Sequence, residues 1–215
     1  MKRYVSYFLF AVLAGVSIAL GGTVFLSLDN KVLGALFFCV GLFTVCTFGF
    51  HLFTGKVCYA LEKPPAYCGW LVLVWFGNLA GANLVGYLLR TTRLGPALAE
   101  KAAALCQAKT SDSLLSIFLL AMFCNLLLFL AVDGFQRNPH ELGNYLGLFF
   151  GVTVFILCGF EHCVANMFYF AVANWWSPHT LLYLLVLTLC HSVAGLLFPL
   201  CRLLYRQPAH PFTSP

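Results

Sequence analysis

The chain of 215 residues is 61% hydrophobic and only 9% charged, with a mean hydropathy of +0.90. So much apolar surface exceeds what a soluble core of this size encloses, which excludes a water-soluble globular domain and makes lipid the main solvent. The formal charge of +5 is scattered over loops and ends without a basic block, which excludes a nucleic-acid partner.

This length admits about six spans of roughly 20 residues each with short connections, and no separate soluble domain. An all-α integral membrane protein with one transmembrane domain over 1–215 is expected. The first segment, about Tyr4–Leu28, starts like a signal peptide at Met1-Lys2-Arg3. It runs on to about Phe25 with no Ala-x-Ala site, so it reads as a first span and not a cleaved leader. Gly15, Gly21 and Gly22 offer neighbouring helices a close approach.

The second segment, Lys31 to about Leu61, is roughly thirty residues long, too many for one straight crossing. Gly41, Thr44, Thr47 and Gly49 interrupt it, and Gly49-Phe50-His51-Leu52-Phe53-Thr54-Gly55-Lys56 is polar in its middle. A broken helix is therefore predicted. Glu62-Lys63-Pro64-Pro65 is a turn, since two prolines forbid helix there. The third segment, Gly69–Leu89, carries Gly77-x3-Gly81 as a close-packing face. Proline at Pro96 followed by strong helix formers predicts a short helix outside the bilayer, with Lys109 just before the next span.

The fourth segment, Leu114–Val132, is apolar apart from Asn125, and a polar loop is expected over Asp133–His140. The fifth, about Leu142–Ala173, again holds roughly thirty residues and is again interrupted, at Gly147, Gly151 and Gly159. Trp175 and Trp176 then mark an interface. The sixth, Thr180 to about Tyr205, contains Cys190-His191 and ends at Arg202 and Arg206, followed by a tail, Gln207–Pro215, expected to be mobile. Lys2, Arg3, Lys56, Lys63, Arg137, Arg202 and Arg206 fall on one side of the membrane, and Lys31, Arg90, Arg93, Lys101 and Lys109 on the other. That bias puts both termini in the cytoplasm.

Chemistry concentrates in Gly159-Phe160-Glu161-His162-Cys163-Val164-Ala165-Asn166-Met167-Phe168. Ionisable groups at membrane depth mark an ion path, a proton relay or a ligand site, and His162 is the candidate centre. The ten cysteines lie mostly within apolar runs and form no Cys-x-x-Cys, so they read as packing residues, with no metal site and no cofactor expected. No nucleophile–base pair or phosphate loop occurs. Covalent catalysis, and hence an enzyme, is not expected.

Gly49-Phe50-His51 and Gly159-Phe160-Glu161 open similar runs about half the chain apart. Three spans followed by three more place two copies in opposite orientations, the inverted-repeat plan in which broken helices meet near the midplane. The copies would cover about 4–93 and about 113–206, joined by a connector over 94–112.

Phe38-x3-Leu42, Leu52-Phe53-Thr54-Gly55, Gly77-Asn78-Leu79-x-Gly81-Ala82, Cys124-Asn125 and the Gly159–Phe168 motif together resemble the formate/nitrite transporter family over nearly the whole chain. The resemblance implies a homopentamer of aquaporin-like protomers in the cytoplasmic (inner) membrane, each passing small monovalent anions or their acids: formate, nitrite or hydrosulfide. It further implies that Phe38, Leu42 and Phe155 form the constrictions and that Thr54, Asn125 and His162 line a chamber between them. Glu161 and Asn166 would support that chamber, and Lys109 would be the outer-vestibule lysine. Two departures stand out: His51 replaces a commonly acidic residue, and Cys190-His191 replaces Gly-Asn. Packing and pore roles stay open for His51 and His191.

Burying an ionised carboxylate without a partner is very costly, so a small anion must be partnered or neutralised on the way. One route has Lys109 attract it and His162 share or donate a proton; the other passes the bare anion across His162, Thr54 and Asn125. A different class is a haem-binding membrane subunit of an oxidoreductase, with His51, His162 and His191 as ligands.

Overall fold

The computed structural model describes residues 2–205; Arg206 and the tail Gln207–Pro215 lie outside the described residues. The described chain is helical: α1 Lys2–Ser27, α2 Lys31–Phe48, α3 Phe53–Val57, α4 Ala66–Arg90, α5 Gly95–Thr110, α6 Leu114–Arg137, α7 Glu141–Leu157, α8 Cys163–Ala173 and α9 Pro178–Tyr205. One 3-10 turn, Ala60–Glu62, separates α3 from the Pro64-Pro65 corner. Among the described residues, α1, α2, α4, α6 and α9 are long and apolar enough to cross a membrane; α7 and α8 are apolar but shorter.

Local chemistry sets the ends. Asn30 caps α2, its Oδ1 accepting the Val32 and Leu33 N–H groups at 3.0 and 3.1 Å. Gly49, at φ 68°, stops the helix in the left-handed conformation that glycine adopts without a Cβ penalty. Gly159, at φ 70°, does the same after α7. At both breaks the next residue closes a wide turn, Phe50 N–H to Val45 O and Phe160 N–H to Phe155 O, each 2.9 Å.

The polar loop expected from Asp133 is shorter than its composition suggests. Helix α6 continues to Arg137 because Asp133 is buried and paired there: it accepts the Tyr59 hydroxyl at 3.1 Å and meets Arg137, one turn on, at 3.0 Å. Only 138–140 remain outside helix.

Helix α1 packs on α2 and α4, α6 packs on α7 and α9, and α2 lies against α7. Small residues allow the tightest crossing: a Cβ on Gly81 would fall on the Val12 carbonyl and one on Gly15 on the Asn78 carbonyl. That is the close face predicted from Gly77-x3-Gly81. The expected connector helix is α5, which packs against α8 and α1. Its Lys101 binds Asp29 at 2.7 Å, and this ammonium holds the Asp29 carboxyl below the usual carboxylate range.

Candidate functional site

Two interruptions bring the sequence-selected polar residues inside. Where α7 ends, the chain turns at exposed Gly159, passes half-buried Phe160 to buried Glu161, and His162 then starts α8 as its N-cap. His162 Nδ1 accepts the Ala165 N–H at 3.1 Å, and its Nε2 lies 3.1 Å from Thr54 Oγ1 in α3. An Nδ1 used as an acceptor leaves the proton of the neutral ring on Nε2. The imidazole therefore presents an N–H towards Thr54.

Buried aromatic rings adjoin that pair. The Phe155 ring stacks on His162 with centroids 5.7 Å apart, and Phe38 meets Phe155 edge-on at 6.2 Å. Phe38, Leu42, Leu52 and Phe155 are all fully enclosed. On one side of this core a cavity of about 100 Å³ is lined by Phe25, Lys31, Lys109, Phe160, His162, Asn166 and Tyr169. On the other, one of about 40 Å³ is lined by Leu42, Cys46, Leu52, Lys56, Val132 and Gln136. His162 thus reaches the first hollow and Leu42 the second.

Glu161 has a role that its motif position alone does not reveal. Its Oε1 takes Lys109 Nζ at 2.8 Å, and its Oε2 accepts Asn166 Nδ2 at 2.6 Å and the Tyr183 hydroxyl at 2.9 Å. The carboxylate ties α5, α8 and α9 to the break. Lys109, implied as a vestibule lysine, does line the larger cavity, but its side chain is only 13% exposed and already paired.

Among the described residues, the hydrogen bonds of Asn125 do not go to His162 or Thr54. Its Nδ2 donates to the His191 carbonyl at 2.9 Å and approaches Cys58 Sγ at 3.6 Å. His191 stands edge-on to His162, centroids 5.8 Å apart, and its Nε2 accepts the Cys163 N–H at 3.2 Å. His51 is elsewhere, in an aromatic box of Tyr7, Phe10 and Trp70 between α1 and α4. The three histidines proposed as haem ligands are therefore not gathered around one space. Among the described residues no three His, Cys, Asp or Glu side chains cluster as a metal site.

Several participants escape a reading of the sequence. Asn78, quoted only within a motif, binds the Phe53 N–H through Oδ1 and the Ala11 and His51 carbonyls through Nδ2, each at 2.8 Å, and so ties down the start of α3. Its position after Gly77 was the available signal. Lys56 and Leu52 line the smaller cavity and belong to the polar stretch Gly49–Lys56. Nothing in the sequence distinguishes Tyr183 from other aromatics of an apolar helix.

Comparison with known proteins completes the assignment. Residues 1–205 match the family described as formate/nitrite transporter. A probable formate transporter of Methanothermobacter thermautotrophicus is 33% identical over 207 residues, covering 83% of this chain and 75% of the relative. The formate channel FocB of Escherichia coli is 30% identical over 195 residues, covering 80% of this chain and 68% of that protein. A solved pentameric formate channel with formate bound superposes with a TM-score of 0.83 at 27% identity, covering 96% of this chain and 99% of the other. Helix pattern, site motif and these likenesses together place the chain, a multi-pass membrane transport protein and not an enzyme, in the formate/nitrite transporter family.

Proposed function

We propose that this chain is a membrane channel that passes small monovalent anions or their conjugate acids, formate, nitrite or hydrosulfide, by a route linked to protons through His162. The observation that carries the reading is the Thr54–His162 pair at 3.1 Å, set beside the enclosed Phe38–Phe155 neck between two cavities. Relatives named as formate transporters and channels support the substrate class.

Apolar walls penalise the charged form of a small acid more than the neutral one, so its proton affinity rises as it nears the neck. His162 Nε2–H and the Thr54 hydroxyl hydrogen-bond it there. The Nδ1 cap shapes what the ring can do: a second proton would set an N–H against the Ala165 N–H. In this reading the ring shares its Nε2 proton with the passing oxygen and keeps it, while the travelling proton enters with the anion from the mouth.

The finer architecture belongs to the same reading. One transmembrane domain spans 1–215, with inverted halves over about 4–93 and 113–206 joined by 94–112. Support comes from the matched positive φ of Gly49 and Gly159, and from the parallel pairings α1 with α2 and α4 and α6 with α7 and α9. Helices α2–α3 and α7–α8 are the broken spans, and α7 with α8 makes the sixth crossing. The assembly is a homopentamer in the lipid of the cytoplasmic (inner) membrane with both termini inside, a reading supported by the likeness to a pentameric channel and by the lysine and arginine bias.

Flux of labelled formate into proteoliposomes, with pH gradient and membrane potential varied independently, tests the mechanism. Electroneutral flux driven by the pH gradient is expected. Flux that follows the potential and ignores the pH gradient would establish passage of the bare anion instead.

A further inference from the structure

Helix α8 presents one continuous stripe to the larger cavity. His162, Ala165, Asn166 and Tyr169 all line it, at offsets of three, four and seven residues that bring side chains to one face of a helix. His162 serves the proposed route, and Asn166 is spent on Glu161, its Nδ2 donating to Oε2 at 2.6 Å. Tyr169 has no such task.

Its position is nevertheless fixed. The residue is 4% exposed, and its ring lies 5.7 Å from that of Phe168, centroid to centroid. Both rings sit over Gly22 of α1, where a Cβ would fall on the Phe168 ring and come within 3.5 Å of Tyr169 Cε1. A buried tyrosine usually hands its hydroxyl to a protein acceptor, as Tyr183 does to Glu161 at 2.9 Å. The Tyr169 hydroxyl makes no hydrogen bond to protein among the described residues. Nor is its oxygen one of the enclosed polar atoms that lack a partner, so the little surface that Tyr169 keeps includes that oxygen. The free donor of this otherwise enclosed side chain opens on the cavity that the residue lines.

The charge there suits an anion. Of the two lysines lining the cavity, Lys109 is matched by Glu161, while Lys31 makes no ion pair among the described residues. The helical rise from His162 to Tyr169 is about 10 Å. An ion as small as formate does not span that distance, so the two side chains can hold it in turn and not together.

We propose that Tyr169 is a second substrate-binding residue, whose hydroxyl donates to an oxygen of a small monovalent oxyanion waiting in the larger cavity before it passes to His162. This rests on the channel reading above and adds a station to it. The O–H to oxyanion bond is charge-assisted and about twice as strong as a neutral one. It gives the ion a partner as it leaves bulk water, where burial without one is very costly.

Tyr169→Phe removes the hydroxyl and keeps the ring over Gly22. It is compared with the unaltered protein in proteoliposomes, with formate supplied from the larger-cavity side. The half-saturating concentration is expected to rise about tenfold, as loss of one hydrogen bond to a charged group implies, and by more than maximal flux falls. In 13C NMR of the unaltered protein labelled at tyrosine Cζ, formate is expected to shift the signal that Tyr169→Phe removes. An unchanged half-saturation in a conducting Tyr169→Phe protein, or a Tyr169 signal indifferent to formate, overturns the proposal. So does a fall in maximal flux alone, which would mark the phenol as a packing residue. An unaltered protein that passes no formate overturns the channel reading itself, and the two failures are thereby distinguished.

Discussion

At the scale of single residues, His162 carries two tasks that ordinary substitutions confuse. Its Nδ1 caps α8 and its Nε2–H faces Thr54. His162→Ala removes both, whereas His162→Asn keeps a good N-cap residue and removes only the imidazole. We expect His162→Asn to assemble normally and to lose at least tenfold of its formate flux, measured in proteoliposomes, because the Nε2–H that holds the acid beside the neck is gone. Glu161 is different, since its bonds are to protein. Glu161→Gln leaves the Lys109 ammonium, 13% exposed, without its carboxylate, a change that costs about 3–5 kcal/mol in buried pairs. Denaturation in detergent should show that loss, and adding Lys109→Met should recover most of it, because removing both charges of a buried pair is far milder than removing one.

At the scale of elements, the proposed route depends on where two helices stop. Gly49 and Gly159 both adopt a left-handed conformation, and neither has a neighbour that would clash with a Cβ. The cost of a side chain there is thus purely backbone strain, about 1–2 kcal/mol. Gly159→Ala is expected to lower stability by that amount and to disturb the aim of His162, so that flux falls more than folding does. A thermal midpoint and a flux measurement on the same preparation separate the two effects. Unchanged flux in a well-folded Gly159→Ala protein would show that the break tolerates re-aiming.

At the scale of the whole molecule, both cavities that would flank the proposed route are lined by lysine. Lys109 and Lys31 line the larger cavity, Lys56 the smaller. Lys109 is neutralised by Glu161, whereas Lys56 makes no ion pair among the described residues. An unpaired cation in an apolar mouth raises the local concentration of anions and does so less at high salt. Lys56→Gln should therefore raise the half-saturating formate concentration severalfold when formate is supplied from the Lys56 mouth, and much less from the other. Oriented vesicles at low ionic strength provide the measurement; an effect equal on both faces would mean that Lys56 acts on the pore as a whole.

Much of this molecule is written locally. Hydropathy alone yields the apolar segments, five of them helices long enough to cross a membrane among the described residues, because a run of apolar residues has the same meaning wherever the chain goes. Gly49 and Gly159 mark the breaks for a similar reason, since a left-handed residue is a local demand. The motif Gly159–Phe168 singles out His162 and, by resemblance, the family. What needed the tertiary structure was the choice of partners. Asp133 has the composition of a loop, because its pairing with Tyr59 and Arg137 depends on a turn far back in the chain and on continued winding. The sequence does not show that Lys109 is engaged by Glu161, a carboxylate far along the chain. Tyr183 looked like any aromatic of an apolar span, and His51 and His191 looked alike as intramembrane imidazoles. One lies in an aromatic box and the other against the central histidine. Hydrogen bonds between distant segments decide these roles, and the distances that govern them are set only when the helices have packed.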